Sequence, residues 1–314
     1  MNKNNEERFR ILVCIDGSDE SYRGLRYAAM LGDSVDADLV LLYVRPAEHG
    51  LSSGGLQVRV AHENMRDWGI ELPGMRYLKK GRDILVDTGY MAADRRETFT
   101  HVDVNGDPLG DNTIEYTGSR KRRVLLKVKV ASDIASGVLD EAERKPPYLI
   151  VLGASERWRK RRAMKFWDPA VAEKVAMHAS CSVLVARELS LGHGHLVCTD
   201  GSERAMDMVR KDATLAAHCD CPIALLSVAL DAESEAEAVA AVTKARDLLK
   251  SLDIEADEVL TRVGDPVEEI IELGPNYSLI ALSDSGKSGL GRFFMGSVAF
   301  KVMEHAYNSV MIVR

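Results

Sequence analysis

The sequence predicts an α/β protein in which one unit, an open parallel β-sheet flanked by helices, occurs twice. An internal repeat is the first observation, because ILVCIDGSDE at 11–20 returns as HLVCTDGSER at 195–204. Short apolar segments that alternate with helical patterns are the second, and this alternation is typical of parallel βαβ units. Strand candidates such as LIAL at 279–282 are apolar throughout, as expected when helices cover both faces of a sheet.

The second unit, which we place at 195–314, shows its elements most plainly. Segments with spaced apolar residues, and with acidic or capping residues near their starts, predict helices between the strands. The repeat extends to the end, because VAEKVAMHASCSVLVAR at 171–187 matches VAFKVMEHAYNSVMIVR at 298–314. Strands are predicted near 195–199, 222–229, 257–262, 278–282 and 309–313.

The first unit, which we place at 8–188, carries an insertion at about 46–123. Its start lies much farther from its end than in the second unit, so extra chain must be accommodated. Within this insertion, THVDVNGDPLGDNTIEY has alternating apolar positions around a centre rich in Gly, Pro, Asp and Asn. Such a pattern predicts a β-hairpin with a longer turn.

The turn of this hairpin has some features of a calcium-binding loop. Asp103, Asn105 and Asp107 match the opening of such a loop. Pro108 stands where the loop requires glycine, and Ile114 stands where it requires a bidentate glutamate. We therefore predict a solvated turn without calcium.

Composition excludes several classes of function. The 314 residues are 46% hydrophobic and 28% charged, which fits about two soluble domains. A net charge of −7 argues against general binding to nucleic acid or anionic membranes, which requires a basic surface. With no apolar run of membrane-spanning length and no apolar leader, we expect a cytoplasmic protein without membrane association.

The cysteines and histidines predict no metal site. The five cysteines form neither a disulfide framework nor two spaced metal-binding pairs. We interpret CDC at 219–221 as two small apolar side chains rather than as half of a zinc site. His193 and His195 are predicted to be polar linker and strand-edge residues. His178 and His305 fall near the ends of equivalent helices, where a histidine interacts favourably with the helix dipole.

Three segments of the second unit are predicted to converge at the carboxyl ends of its strands, where open parallel sheets bind ligands. They are Asp200-Gly201-Ser202 after the first strand, Val228 at the end of the second, and the loop that begins at Ser283. The Asp200 carboxylate can accept hydrogen bonds from sugar hydroxyls or a base. Gly201 permits a tight turn, and Ser202 can cap the next helix.

The segment ALSDSGKSGLGRFFMGS at 281–297 matches the P-loop pattern through GKS at 286–288. A P-loop needs a helix directly after that triplet, but Gly289 and Gly291 disfavour one. The helical pattern begins only at Ser297. The segment therefore predicts a glycine-bearing loop whose N–H groups, with the Ser297 hydroxyl, bind phosphate at a helix start. A surface loop without ligand is the alternative.

These motifs together resemble the universal stress protein family, here as a tandem pair. Its phosphate loop has glycine, two residues, glycine, nine residues, then glycine with serine or threonine. This chain has Ser283, Gly286 and Gly296-Ser297 at that spacing, and VGDP at 263–266 also matches. The resemblance implies two Rossmann-like domains of the adenine nucleotide alpha hydrolase-like type. Each has an open five-stranded parallel sheet flanked by helices, and the first also holds the hairpin-containing insertion.

The resemblance also implies a ligand, ATP or a related adenine nucleotide, with or without Mg²⁺. Adenine and ribose would lie near the strand ends, and the phosphates would lie at the glycine loop and the helix start. Ser283 departs from the family pattern, and its side chain would crowd the ribose. The binding residues that the resemblance implies are Asp200, Val228, Leu282, Ser283, Gly286, Gly296, Ser297 and Val298.

The first unit departs further from the family pattern. Gly153 matches the first glycine, but Glu156 replaces the second, and Pro-Ala at 169–170 replaces Gly-Ser. A carboxylate repels phosphate, and proline removes an N–H donor. We therefore predict that nucleotide binds the second unit only, although Asp16 and Val44 are retained.

Two further segments suggest interactions. The first-unit loop SERWRKRRAMKFW contains Arg157, Lys160, Arg161 and Arg162. It either recruits an acidic partner, a phosphorylated ligand or nucleic acid, or is simply solvated. The final strands SVLVAR and SVMIVR are predicted to pair, since apolar sheet edges need cover. The resemblance implies the same strand pairing and hence an internal pseudo-dimer, with further homodimerisation left open.

The sequence thus predicts a stress-response sensor or regulator that binds nucleotide in its C-terminal domain and acts with an unidentified protein partner. No catalytic constellation is predicted, so we expect a binding protein rather than an enzyme. Asp284 and Lys287 are the residues that would serve phosphoryl chemistry. The alternatives are a slow ATP hydrolase and a scaffold that needs no nucleotide.

Overall fold

A computed structural model describes residues 8–47, 74–104, 107–117, 122–154, 169–187, 193–284 and 295–314. Over these residues the protein is α/β and divides into two compact units, which confirms the predicted fold class. The division falls near Gly153 and again within the helix at 169–178. The predicted domain limits, 8–188 and 195–314, stay predictions.

The described strands of the first unit are β1 (Arg10–Cys14), β2 (Asp38–Pro46), β3 (Arg96–Val104), β4 (Asp107–Thr117), β5 (Arg123–Ala131) and β6 (Leu149–Gly153). They are ordered β6-β1-β2-β5-β4-β3. The first four of these are parallel, and β4 and β3 are antiparallel additions beside β5. The helices before the division are α1 (Asp19–Ser34), α2 (Met75–Asp87) and α3 (Ile134–Arg144), and α4 (Pro169–His178) spans it.

The described strands of the second unit are β7 (Ser182–Ala186), β8 (His195–Cys198), β9 (Ile223–Ala229), β10 (Glu258–Val263), β11 (Leu279–Ser283) and β12 (Ser309–Val313). β8 to β12 form a five-stranded parallel sheet in the order β10-β9-β8-β11-β12. Its helices are α5 (Glu203–His218), α6 (Glu235–Ser251), α7 (Pro266–Leu273) and α8 (Ser297–His305). None of the described helices in either unit is long and apolar enough to cross a membrane.

The local signals that predicted these helices are present in the structure. The Ser202 side chain caps α5 by accepting a hydrogen bond from Ala205 N at 3.2 Å. α7 begins with Pro266 after Asp265, whose carboxylate accepts hydrogen bonds from two first-turn N–H groups. α4 and α8 end at His178 and His305, as predicted.

The predicted hairpin in the insertion is confirmed, because β3 and β4 pair antiparallel with Phe99 opposite Ile114. α2 holds the same place in chain order, between β2 and β5, that α6 holds between β9 and β10. Within the described part of the insertion, β3 and β4 are therefore the elements that the first unit adds to the repeat, and they lengthen its sheet beyond β5.

Asp107 corrects part of the prediction for the hairpin turn, which was expected to be solvated. Its side chain is only 2% exposed and lies 2.5 Å from the Arg45 guanidinium in β2. Its Oδ1 also accepts a hydrogen bond from Leu109 N at 3.0 Å. This end of the hairpin is therefore buried against the sheet. The attraction between the two charges offsets the cost of removing both from water.

The amino ends of β8 and β9 hold two further corrections. His195, predicted to be a strand-edge residue, is fully buried and bonded to Asp212, because β8 lies inside the sheet. Cys219 and Cys221, interpreted as two small apolar side chains, form a disulfide. Asp220 between them has a φ of 53°, a turn conformation that brings both sulfurs to one side.

The predicted pairing of the final strands is present within the second unit. β12 runs antiparallel to β7, with Met311 opposite Leu184. The buried Arg187 guanidinium after β7 donates to the Met303 and Asn308 carbonyls, and burial lowers its pKa to about 10. The assembly of the two repeats as a pseudo-dimer stays a prediction.

The buried pair between Arg45 and Asp107 makes a testable contribution to stability. Asp107→Ala leaves a buried guanidinium without its carboxylate, so we expect a loss of about 3 kcal/mol in the free energy of unfolding. Urea denaturation followed by far-UV circular dichroism measures this loss. Asp103→Ala is the matched control in the same hairpin, because its side chain is 84% exposed, and it should change stability by less than about 0.5 kcal/mol. Equal effects of the two substitutions would contradict this account.

Candidate functional site

A cleft opens at the carboxyl ends of β8, β9 and β11 in the second unit. The chain passes from β8 to β9 on one side and returns to β11 on the other, so strand order reverses here. Ligands of open parallel sheets bind at such reversals. The cleft has a volume of about 210 Å³, and its lining residues are Cys198, Thr199, Asp200, Leu226, Val228, Pro266, Ile270, Leu282, Ser283, Gly296, Ser297, Val298 and Ala299.

The turn after β8 fixes the carboxylate of Asp200 at the cleft. Thr199 N donates to Leu226 O at 2.8 Å, which continues the pairing with β9 one residue past the strand. Asp200 Oδ1 accepts a hydrogen bond from Ser202 N at 3.0 Å. Because Ser202 also caps α5, the acidic side chain is held beside a helix start.

Gly201 in this turn has a φ of +77°, a conformation that favours glycine. A Cβ on this residue would lie 3.1 Å from the Cβ of Ala241 in α6, which is tighter than ordinary contact. The Gly201 carbonyl accepts a hydrogen bond from Lys244 Nζ at 2.9 Å. The turn is therefore packed against α6 on one side and open to the cleft on the other.

The start of α8 forms the opposite wall of the cleft. Gly296 is the N-cap residue, and its N–H donates to Asp284 O at 2.6 Å. Among the described residues, no side chain caps the helix. As in any α-helix, the N–H groups of its first turn have no carbonyl partner within the helix. The predicted helix start at Ser297 is confirmed. The P-loop-like triplet at 286–288 lies outside the described residues.

Apolar side chains form the remaining walls, from strands on one side and from α7 on the other. Val228 and Leu282 lie at the ends of β9 and β11, as predicted. Pro266 and Ile270 also line the cleft, although they were not among the predicted residues. Their spacing of four places them on one face of α7, so the helical pattern PVEEIIEL carried a usable signal.

Seven of the eight predicted binding residues line this one cleft. They are Asp200, Val228, Leu282, Ser283, Gly296, Ser297 and Val298. The eighth, Gly286, lies outside the described residues, as do Lys287, Glu156 and the basic segment at 157–162. The structure therefore brings the predicted segments together, and their role in binding stays a prediction.

A model of the universal stress protein family matches residues 7–70, 117–187 and 195–314 of this chain. The matched segments cover most of both units, and the interruption contains β3 and most of β4. The chain belongs to the universal stress protein family. A universal stress protein of Methanocaldococcus jannaschii is 26% identical in an alignment 136 residues long that covers 38% of this chain and 80% of that protein.

Solved structures share the fold over almost the whole chain. A universal stress protein from Archaeoglobus fulgidus has a TM-score of 0.62 at 15% identity, covering 98% of this chain and 99% of its own. A Pseudomonas aeruginosa structure that carries the same family name has a TM-score of 0.57 at 12% identity, covering 98% and 93%. Since identities are this low, the likeness establishes the fold alone.

The first repeat has the same turn after its first strand, but the helix that corresponds to α8 starts with a different sequence. Ser18 N donates to Asp16 Oδ1 at 2.9 Å, and Gly17 has a φ of +90°, as at Asp200 and Gly201. However, α4 begins with a proline. At Gly153 a Cβ would lie only 2.4 Å from Ser21 N, so α1 packs directly on the end of β6. The end of β11 instead accommodates the side chain of Ser283.

One carboxylate near the cleft lies between two arginines. Asp284, just after β11, lies 3.4 Å from Arg204 and 3.6 Å from Arg314 Nε. Burial lowers the pKa of Arg314, although Asp284 opposes this effect. Burial raises the pKa of Cys198, so its thiol stays neutral at physiological pH. Among the described lining residues, Asp200 is then the one that carries charge.

The packing of the turn at Gly201 can be tested against a second glycine of the same conformation. Gly89 has a φ of +76°, but a Cβ there would meet no atom of the described residues within 4 Å. Gly89→Ala should cost about 1 kcal/mol for the left-handed conformation alone. Gly201→Ala should cost about 2 kcal/mol, because the added methyl group also presses on Ala241. Urea denaturation of both variants measures the difference, and equal losses would show that the contact with α6 is unimportant.

Proposed function

We propose that the cleft of the second unit binds ATP or a related adenine nucleotide, and that the protein acts as a stress-response sensor or regulator. The observation that carries this proposal is the convergence of a fixed carboxylate, apolar strand ends and an uncapped helix start around one cleft. Membership of the universal stress protein family supports it. A cytoplasmic location and a protein partner belong to the same proposal.

Each part of a nucleotide meets groups of suitable chemistry in this cleft. Apolar side chains at Val228, Leu282 and Ile270 suit the faces of a purine ring, which gains from leaving water. The Asp200 carboxylate is an acceptor, and the hydroxyls of a ribose are donors. Ser283 is half-buried and also lines the cleft, so its small hydroxyl side chain would lie near the sugar of a bound nucleotide.

Phosphate groups suit the start of α8. The first-turn N–H groups of Ser297, Val298 and Ala299 lack carbonyl partners within the helix, and the helix dipole favours negative charge there. The Ser297 side chain is exposed and can add a hydroxyl donor. Mg²⁺ would accompany the nucleotide mainly through phosphate oxygens, which are the ligands that this ion prefers.

We infer that the first unit does not bind nucleotide. Its α4 begins with Pro169, whose backbone nitrogen carries no hydrogen to donate. The close packing of α1 on Gly153 leaves less room beside β6 than Ser283 has beside β11. The retained turn at Asp16 is then structural, since it positions α1 through the Ser18 cap.

Binding without turnover is the activity that the described residues favour. The Cys198 thiol is neutral, and Asp284 is engaged by two arginines. Slow hydrolysis and a nucleotide-free scaffold are the competing functions, and both are outcomes of the experiment below.

Titration of ATP into the intact chain by calorimetry tests this proposal. Asp200→Ala should weaken binding roughly tenfold or more, because the sugar loses a charged acceptor. Asp16→Ala is the matched control at the equivalent turn of the first repeat, and it should leave the affinity unchanged. Gly296→Val should weaken binding severely, because it places a branched side chain at the helix start.

The competing functions give different results in the same samples. No detectable ATP binding, together with no nucleotide extracted from the purified protein, would support the scaffold. Multiple-turnover release of ADP that Asp200→Ala abolishes would support the hydrolase. An equal loss of affinity in Asp16→Ala and Asp200→Ala would contradict a site confined to the second unit.

A further inference from the structure

A second cluster of reactive side chains lies at the opposite end of the same sheet, at the amino ends of β8 and β9. It consists of His195, Cys219 and Cys221, whose ligand-type atoms all lie within 4.8 Å of one another. No other group of three or more such residues with this geometry occurs in the part of the chain that the structure describes. The cluster is remote in the sheet from the cleft, which lies at the carboxyl ends of these strands.

The backbone brings these three residues together through the end of α5. Cys219 is the C-cap residue of α5, and its N–H donates to the carbonyls of the last turn. Asp220 then reverses the chain with its φ of 53°, and Cys221 N donates to Ala216 O at 3.0 Å. One residue later, Pro222 O accepts a hydrogen bond from His195 N at 2.8 Å. The two sulfurs are thus held beside the first residue of β8.

The imidazole of His195 is oriented by a buried carboxylate. Its Nδ1 lies 3.1 Å from both Oδ atoms of Asp212 in α5, and the two side chains are 1% and 0% exposed. Burying a carboxylate in a core is costly unless it is paired. A carboxylate on Nδ1 fixes the ring so that a bond to a metal would form through Nε2, as is common for metal-ligating histidines.

We propose that the reduced pair of Cys219 and Cys221, together with His195, binds a thiophilic divalent cation, Zn²⁺. Two thiolates and one imidazole are ligands that zinc prefers. Ordinary zinc bond lengths place tetrahedral ligand atoms roughly 3.3 to 3.8 Å apart. Once the disulfide is reduced, the two sulfurs must therefore separate to about that distance, and the imidazole nitrogen, which lies within 4.8 Å of both, must come as close to each of them. Both cysteines are half-buried beside a turn, which permits that movement and leaves the fourth position for solvent.

The disulfide is the alternative state of this site, since its sulfurs cannot serve as thiolate ligands. A phosphine reductant converts the disulfide to two thiols. It supplies two electrons and becomes the phosphine oxide, and water provides the oxygen and both thiol protons. Zinc then displaces the protons from the thiols. Metal binding at this site therefore requires the reduced chain. Hydrogen peroxide reverses the step, because it takes two electrons from the two thiolates, which join as the disulfide and release the ion, and with two protons from solution it becomes two molecules of water.

The first test measures zinc in the full-length protein. The chain is reduced with a phosphine without oxygen, incubated with zinc chloride, desalted and analysed by mass spectrometry for metal. We expect roughly one zinc ion per reduced chain and none after oxidation to the disulfide. Cys219→Ser and Cys221→Ser should each lose the ion. Cys181→Ser is the matched control, because Cys181 is also half-buried but lies outside the cluster.

The second test keeps the proposal falsifiable if a substitution disturbs folding. Cobalt added to the reduced, unsubstituted chain should give the thiolate-to-cobalt charge-transfer absorption of a sulfur-ligated tetrahedral site. Asp212→Asn, a change at a positioning residue, should keep this absorption but weaken zinc affinity roughly tenfold, because the imidazole is held less firmly. No sulfur-to-cobalt absorption, or zinc retained in both serine variants, would overturn the proposal. ATP titration of the same samples is a separate readout, so an absence of metal binding would leave the nucleotide proposal unaffected.

Discussion

The second unit depends on the pairing of one buried strand, β8, with parallel neighbours on both sides. Leu196 and Val197 are buried between β9 and β11, and helices cover the faces of the sheet. Polar groups therefore gather mainly at and beyond the strand ends. At the carboxyl end this constraint assembles the turn at Asp200 with the start of α8. At the amino end it places His195 beside the turn at 219–221.

The two repeats show how a shared backbone allows different chemistry. Both keep the glycine turn and its serine cap, because these hold the first helix against the sheet. They differ at the helix start where a phosphate site would be formed. The N-cap residue of α8 is Gly296, which has no side chain to cap the helix, whereas α4 starts with a proline. The first unit instead has a longer sheet, in which the buried ion pair of Arg45 and Asp107 holds the hairpin of β3 and β4. The two repeats thus share the residues that hold the first helix in place, and they differ at the start of the last helix.

The fold and most of the cleft could be predicted from sequence, because their signals are local. Ser297 was identified as a helix start from the glycine before it and the apolar pattern after it, and the hairpin followed from alternation within one segment. The contacts of His195 and Asp107 were missed, since their partners lie 17 and 62 residues away. Such pairs depend on how α5 and the hairpin pack, which no local pattern encodes. Pro266 and Ile270 are an intermediate case, because their spacing indicates a shared helix face, whereas the contact of that face with the cleft depends on the tertiary position of α7.

Amide hydrogen exchange with and without ATP, measured by mass spectrometry on the intact chain, tests most directly whether the helix start of the second unit is the phosphate site. Phosphate bound there would accept hydrogen bonds from the first-turn amides of α8 and slow their exchange. The account predicts slower exchange in peptides that cover 296–300, with no change in the equivalent peptides at 170–174 of α4. Equal protection of both helix starts, or protection of α4 alone, would contradict it.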